Sequence, residues 1–260
     1  MINHLVNDIA VMGAKPLAVL DTIVCGNAEK ETIKAFIKGI SESCKENECV
    51  LVGGETSIQP QVVEKGIYIL TSSIAGIISK DNIIDGSAIK KGDRILAVAS
   101  NGLHTNGYSL IRLLMDKMPW IKSEKIQGKS FIEQIMKPHT PYYRAIKHIF
   151  GEKTIHGMAH ITGGGIKGNL CRIMPSQLCA IIDLKKLKPL PIFQYIQRIG
   201  NIKEEEMLST FNCGVGLIIV VSQQNTEFIM QQISNFYDCY EIGKIEEGEI
   251  SVSFENHILW

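Results

Sequence analysis

No net charge, no long apolar run and no paired cysteine motif occur in this chain, and each absence removes a class of function. Lys+Arg and Asp+Glu both total 27, so the basic surplus or stripe that draws a protein to nucleic acid is missing. Nowhere do eighteen apolar residues run together, and no membrane-spanning helix is expected. The first residues, Met1-Ile2-Asn3-His4-Leu5-Val6-Asn7-Asp8, lack the basic start and apolar stretch of a secretory leader. The seven cysteines (25, 44, 49, 171, 179, 213 and 239) are scattered without a C-x-x-C. Such an odd set fits reduced thiols in a cytoplasm better than a disulfide framework or a zinc site. No repeat is visible at the periods of about 20–50 residues that mark solenoids.

What is present has the balance of a globular protein. The 260 residues are 45% hydrophobic and 21% charged, enough for one large domain or two ordinary ones. Leu5, Ile9 and Met12 predict a helix over residues 3–13 with Gly13 as its stop. Pro16–Val24 reads as a strand. A helix over 29–45 follows, its stripe formed by Ile33, Phe36, Ile37, Ile40 and Cys44. Val50-Leu51-Val52 reads as a short buried strand ending at Gly53-Gly54, and 67–79 as a long strand. Turn signals at Asp85-Gly86 and Lys90-Lys91-Gly92-Asp93 place a domain boundary, giving units 1–84 and 85–260.

Beyond the boundary, strands are expected at Arg94–Ala99, Ile155–Ile161, Leu178–Asp183, Val215–Val221, Glu241–Ile245 and Ile250–Phe254. Helices are expected at Tyr108–Met115, Thr140–Phe150, Ile192–Ile199 and 224–236, with a short one inside 116–138. The alternation of strand and helix makes the fold class α/β (α+β).

Four segments can carry chemistry. Residues 157–165 read Gly-Met-Ala-His-Ile-Thr-Gly-Gly-Gly, and three successive glycines let a backbone approach a ligand closely. If Ile166–Ile173 is helical, its first N–H groups face the same place, and phosphate is the natural guest; a plain strand-to-helix turn is the ordinary reading. Gly53-Gly54-Glu55-Thr56 combines backbone access with hard oxygen donors, or is a tight turn with a solvated Glu. Ser100 through Gly107 lies between a strand and a helix, where His104 can donate a proton or hydrogen bond and Thr105 or Asn106 can cap the helix. Asn212, within Thr210–Gly216, can hydrogen-bond a ligand, while its neighbour Cys213 reads as a small buried residue. Asp8, close to the apolar stripe of the first helix, needs a cation or donor if buried. The Glu204–Glu206 run reads as a helix face exposed to water.

Taken together, these blocks resemble the phosphoribosylformylglycinamidine cyclo-ligase (aminoimidazole ribonucleotide synthetase) family. The similarity lies at Val6-Asn7-Asp8, Gly53–Thr56, Asp85-Gly86-Ser87, Ser100–Ser109, Met158–Gly165, Asn169 with Arg172 and Pro175, and Glu206–Gly216. The resemblance implies a two-domain protein that dimerises through the sheets of its N-terminal domains. It further implies ATP- and Mg²⁺-dependent closure of formylglycinamidine ribonucleotide to aminoimidazole ribonucleotide, in cytoplasmic purine synthesis. Mapped onto this sequence, Asp8 and Glu55 would serve metal and ATP phosphates with Thr56 beside them. Thr162, Gly163, Gly164 and Gly165 would cradle phosphate, His104 and Asn106 would stand near the reacting amide, and Asn212 would touch substrate.

The sequence also departs from the family. In the family about eighty residues usually precede the Asn-Asp helix, so the resemblance implies a truncated N-terminal domain with a sheet edge left open, and a separate chain is one way to supply the segment. Ile58 stands where the family has Glu, and Ile69–Ser72 replaces a carboxylate-bearing stretch. These losses keep two other readings in play: a non-catalytic nucleotide- or phosphate-binding homologue, and a related small-molecule kinase.

Overall fold

The computed structural model describes residues 1–249 and 251–260. The chain forms two compact units, Met1–Ile83 with Pro141–Lys147, and Ile84–Thr140 with His148–Trp260. A boundary at 84/85 therefore misses one return segment. Its cause is local: the buried Asn7 side chain accepts a hydrogen bond from the Tyr142 backbone N–H at 3.0 Å, and Lys147 pairs with Glu48.

In the first unit, α1 (Ile2–Ala10), β1 (Lys15–Cys25), α2 (Lys30–Glu46), β2 (Val50–Ile58) and β3 (Tyr68–Ile77) follow in order. The strands form a three-stranded sheet, β2-β1-β3, with β2 parallel and β3 antiparallel to β1. Both helices cover one face, into which Val19, Ile23 and Cys25 point. The other face is bare. Val50–Val52 is consequently not the buried strand its apolarity suggests: Val50 is 61% and Val52 59% exposed. Nor does the strand end at Gly53-Gly54, since β2 runs on through Glu55 and Thr56. In α2, Ile40 and Cys44 are buried while Ile37 is exposed, so the covered stripe is narrower than predicted.

The second unit contains β4 (Arg94–Ala99), α3 (Tyr108–Lys117), a small hairpin of β5 (Lys125–Ile126) and β6 (Lys129–Ser130), and α4 (Phe131–Ile135). Helix α5 (Tyr143–Ile146) belongs to the first unit. It is far shorter than the helix expected over Thr140–Phe150, since it starts only at Tyr143 and Lys147–Ile149 tightens to a 3-10 turn. Then come β7 (Ile155–His160), α6 (Gly165–Leu170), β8 (Leu178–Asp183), α7 (Pro191–Gly200), α8 (Glu204–Thr210), β9 (Val215–Val221), α9 (Thr226–Ser234), β10 (Cys239–Glu247) and β11 (Val252–Glu255). Of the strand expected at Ile250–Phe254, Ile250 lies outside the described residues.

Six strands make one mixed sheet, β11-β8-β10-β4-β9-β7, in which only β11 and β8 run parallel. Every residue of β9 is buried. Ile218 and Val220 join the core beneath α3, α4, α6, α7 and α8. Helix α9 packs on β4 and β10 and buries Ile229 and Ile233. A continuous apolar run is the pattern such a strand requires. The Glu204–Glu206 run is not simply a solvated face, since Glu204 accepts hydrogen bonds from the Ile258 N–H and His257 at 2.8 Å each.

Candidate functional site

Two loops at strand ends of the second unit come together. The first, residues 100–107, joins β4 to α3. Asn212 braces it: its side-chain oxygen accepts from Ser100 Oγ and the Gly214 N–H, and its amide donates to the Gly102 carbonyl, all at 2.9 Å. Buried and committed to three bonds, Asn212 has one N–H left for anything else. Gly107 takes a left-handed φ of 80° at the N-cap of α3, and a Cβ there would stand 2.1 Å from the Phe211 ring. His104 is also left-handed, with φ 60°, an uncommon state for a non-glycine residue and one that gathers at functional positions.

The His104 ring is buried. Its Nε2 lies 3.0 Å from Thr140 Oγ1, and its plane stacks on His139 with centroids 3.9 Å apart. His139 in turn meets His160 Nε2 to Nε2 at 2.8 Å. One imidazole must donate and the other accept, so this pair shares a proton. His104 stands out in the sequence, whereas His139 and His160 come to notice only in the structure. His160 lies two residues before Thr162 in a block already noted, while nothing in the sequence around His139 marks it.

The second loop, Thr162–Gly165, joins β7 to α6. Asn169 reaches back from α6 and pins it, donating to the carbonyls of Gly165 (2.8 Å), Thr162 and Gly163 (3.3 Å each) and accepting from Thr162 Oγ1 (3.0 Å). Helix α6 begins and ends sooner than Ile166–Ile173. Gly164 and Gly165 have φ values of 93° and 62°, closed to most side chains. Gly163 and Gly164 are exposed, and neither N–H donates within the described backbone. These two amides, rather than the dipole of a six-residue helix, are what the loop offers an anion. Gly164 also walls a cavity of about 520 Å³ with Lys167, Leu208 and Phe254.

Asn106 links the loops. Its Oδ1 would lie 3.5 Å from a Cβ built on Gly163, and its buried Nδ2 has no hydrogen-bond partner among the described residues. An unused donor beside two unused backbone amides suits an oxyanion. Cys213 is inert by comparison. Burial pushes its thiol up to about 12, with Glu204 adding to the effect.

Asp8, Glu55 and Thr56 belong to the first unit. Asp8 is not buried: its carboxylate is 46% exposed and meets His4 one turn back at 3.3 Å. Glu55 and Thr56 sit mid-strand, opposite Thr22 and Ile23 of β1, and not in a turn. Behind them the Asp21 carboxylate covers Gly54, where a Cβ would come within 2.3 Å of Oδ1. Among the described residues, neither Asp8 nor Glu55 belongs to a cluster of three metal-ligating groups.

No helix of the described residues is long and apolar enough to cross a membrane. Residues 1–78 match the N-terminal domain, and 90–255 the C-terminal domain, of AIR synthase related proteins. Phosphoribosylformylglycinamidine cyclo-ligase from Neisseria meningitidis serogroup C is 39% identical over 246 residues, covering 94% of this chain and 72% of that protein. Among solved structures, thiamine-monophosphate kinase from Stenotrophomonas maltophilia superposes with a TM-score of 0.74 at 16% identity, covering 98% of this chain and 77% of that one. The hydrogenase maturation protein HypE in complex with ATP gives 0.72 at 17%, covering 97% and 74%. The last two share the fold. Sequence identity across both domains is what decides membership: the chain belongs to the phosphoribosylformylglycinamidine cyclo-ligase family of AIR synthase related proteins.

Proposed function

We propose that this chain carries out the ATP-dependent ring closure of formylglycinamidine ribonucleotide to aminoimidazole ribonucleotide, a step of purine biosynthesis, with Mg²⁺ as escort. The reaction needs two bond exchanges. The amide oxygen bonds to the γ-phosphorus as the bridge to ADP breaks, turning a poor leaving group into phosphate. An internal nitrogen then bonds to the same carbon, the C–O bond breaks, phosphate leaves and the nitrogen gives up its proton. Both reacting ends belong to one molecule, so positioning supplies much of the acceleration.

The observation that carries this reading is the Asn106–Gly163–Gly164 donor set above a rigidly pinned loop. These groups would hold phosphate oxygens, with Thr162 and Gly165 fixing the loop. His104, locked in place by its stack on His139, would stabilise or move charge at the amide. Asp8 and Glu55 offer hard carboxylate oxygens of the kind Mg²⁺ takes, and each would serve as a separate ligand rather than as part of a protein cage. Asn212 acts through the 100–107 loop in this reading, as a positioning residue.

The bare sheet face of the first unit, where Leu20 is 53% and Ile69 49% exposed, supports a homodimer in this reading, since an exposed apolar patch is a candidate association surface. The test of function is ADP release by the purified chain, which should rise with formylglycinamidine ribonucleotide. Release indifferent to that substrate, in protein that binds ATP, would refute the reading.

A further inference from the structure

The open cavity of about 520 Å³ beside the glycine loop has the size of a small-molecule site, about 300–1,000 Å³. Its walls come from three elements of the second unit: Gly164, Lys167 and Gly168 at α6, Glu205, Leu208 and Ser209 on α8, and Phe254 on β11. Those walls are held together. Asn169 pins the loop to α6, and Gly165 lies so close to α8 that a Cβ on it would stand 1.8 Å from the Leu208 carbonyl oxygen.

Gly168 supplies the independent observation. Glycine is disfavoured inside a helix unless packing or function requires it. Its φ is not left-handed, and beyond its own helix a Cβ there would meet only the Gly163 carbonyl oxygen, at 3.9 Å. Neither backbone conformation nor a crowded neighbour therefore calls for glycine at this position. What the missing side chain does is keep the hollow clear.

The chemistry of an occupant follows from what the walls still offer. Ser209 already donates its hydroxyl proton to the Glu206 carbonyl at 3.0 Å. Lys167 and Glu205 are exposed and of opposite sign, so together they select nothing. The remaining surface is apolar: the Leu208 side chain, the half-buried Phe254 ring and two glycine backbones. Such a surface takes a flat ring, through burial and through contact with the Phe254 ring. Gly164 is common to this cavity and to the exposed pair of amides at Gly163 and Gly164. A ring seated here has an anion-binding loop at its edge, and the ligand class that unites a flat ring with phosphate is a nucleotide.

We propose that the Gly164–Gly168–Leu208–Phe254 cavity holds the base of a nucleotide whose phosphate stands on Gly163 and Gly164, which rests on the assignment of phosphate to that loop. ATP and aminoimidazole ribonucleotide each join a flat base to phosphate, and separate calorimetric titrations of the full chain tell them apart. Gly168→Leu should place its side chain in the hollow, keep or raise the melting temperature, and weaken one of the two at least about tenfold. Phe254→Leu, which keeps apolar volume and removes the aromatic ring, should weaken the same nucleotide about threefold or more. Inorganic triphosphate, an anion without a ring, should bind both variants like the parent. Should Gly168→Leu melt lower, Phe254→Leu carries the test alone. Folded variants that bind both nucleotides at parental strength would overturn the proposal. So would variants that lose triphosphate in the same proportion, or a parent that binds neither nucleotide by about 10 mM. Failure of the loop assignment has a different signature: Gly163→Ala then leaves triphosphate binding unchanged, while the cavity variants still weaken a nucleotide.

Discussion

Adding one methyl group at each of two glycines in the same triplet should have opposite consequences. At Gly165 a Cβ would stand 1.8 Å from the Leu208 carbonyl oxygen, and φ is 62°. The left-handed conformation costs about 1–2 kcal/mol for a residue with a side chain, and forcing the neighbouring helix to shift costs about 1–3 kcal/mol more. Gly165→Ala should therefore lower stability by about 3 kcal/mol, a drop in Tm of about 6 °C or more. At Gly163 the φ lies outside the left-handed range and the new Cβ would meet only Asn106 Oδ1, at 3.5 Å. Gly163→Ala should change stability by less than about 0.5 kcal/mol. Its methyl would nevertheless stand on the exposed loop and displace an incoming phosphate. Losing one hydrogen bond to a charged group, about 1.5–3 kcal/mol, weakens ATP or substrate at least about tenfold. Thermal unfolding and calorimetric titration of the two proteins test both halves. A Gly163→Ala protein that binds like the parent, or melts as low as Gly165→Ala, would refute the assignment of this loop.

Asn212→Ala should destabilise the second unit by about 2–4 kcal/mol, read by denaturant unfolding, because it strands a buried Gly214 N–H and Gly102 carbonyl. Of the seven thiols only Cys171 is exposed, while burial pushes Cys44, Cys213 and Cys239 up to about 12. A thiol reagent at pH 8 should modify one cysteine quickly, since only about one in 10⁴ of those three is thiolate there. These thiols stay protonated in the folded state to a higher pH than in the unfolded one. Stability should accordingly fall as pH rises from about 9 towards 12, measured as a declining Tm. Should the bare sheet face join two copies as proposed, Ile69→Lys on it yields monomer in sedimentation, with little change in the unfolding of the isolated chain.

Much of the secondary structure is legible without coordinates, because periodicity reports burial directly. Val215–Val221 reads as a doubly covered strand and is one; Leu178–Asp183 and Arg94–Ala99 occur as expected. Failures came where neighbours decide. The apolarity of Val50-Leu51-Val52 says that something should cover it, but not whether the cover comes from the chain's own fold. Gly53-Gly54 looks like a turn, yet the second glycine admits the Asp21 carboxylate within a continuous strand. The Asn212 segment reads as a ligand contact, and what its sequence does not reveal is the bracing: three bonds reach residues 100–102 and 214.

By itself the sequence determined the fold class, the family and the segments from which a site is built, since each depends on local pattern or on matching text. Only tertiary structure decided which groups meet. It brought Asn106 to Gly163, stacked His104 on His139, joined His139 to His160 and committed Asn212 to bracing. Such contacts join residues far apart in sequence, where no periodicity or turn signal reaches, and packing alone selects among the many pairings that composition permits.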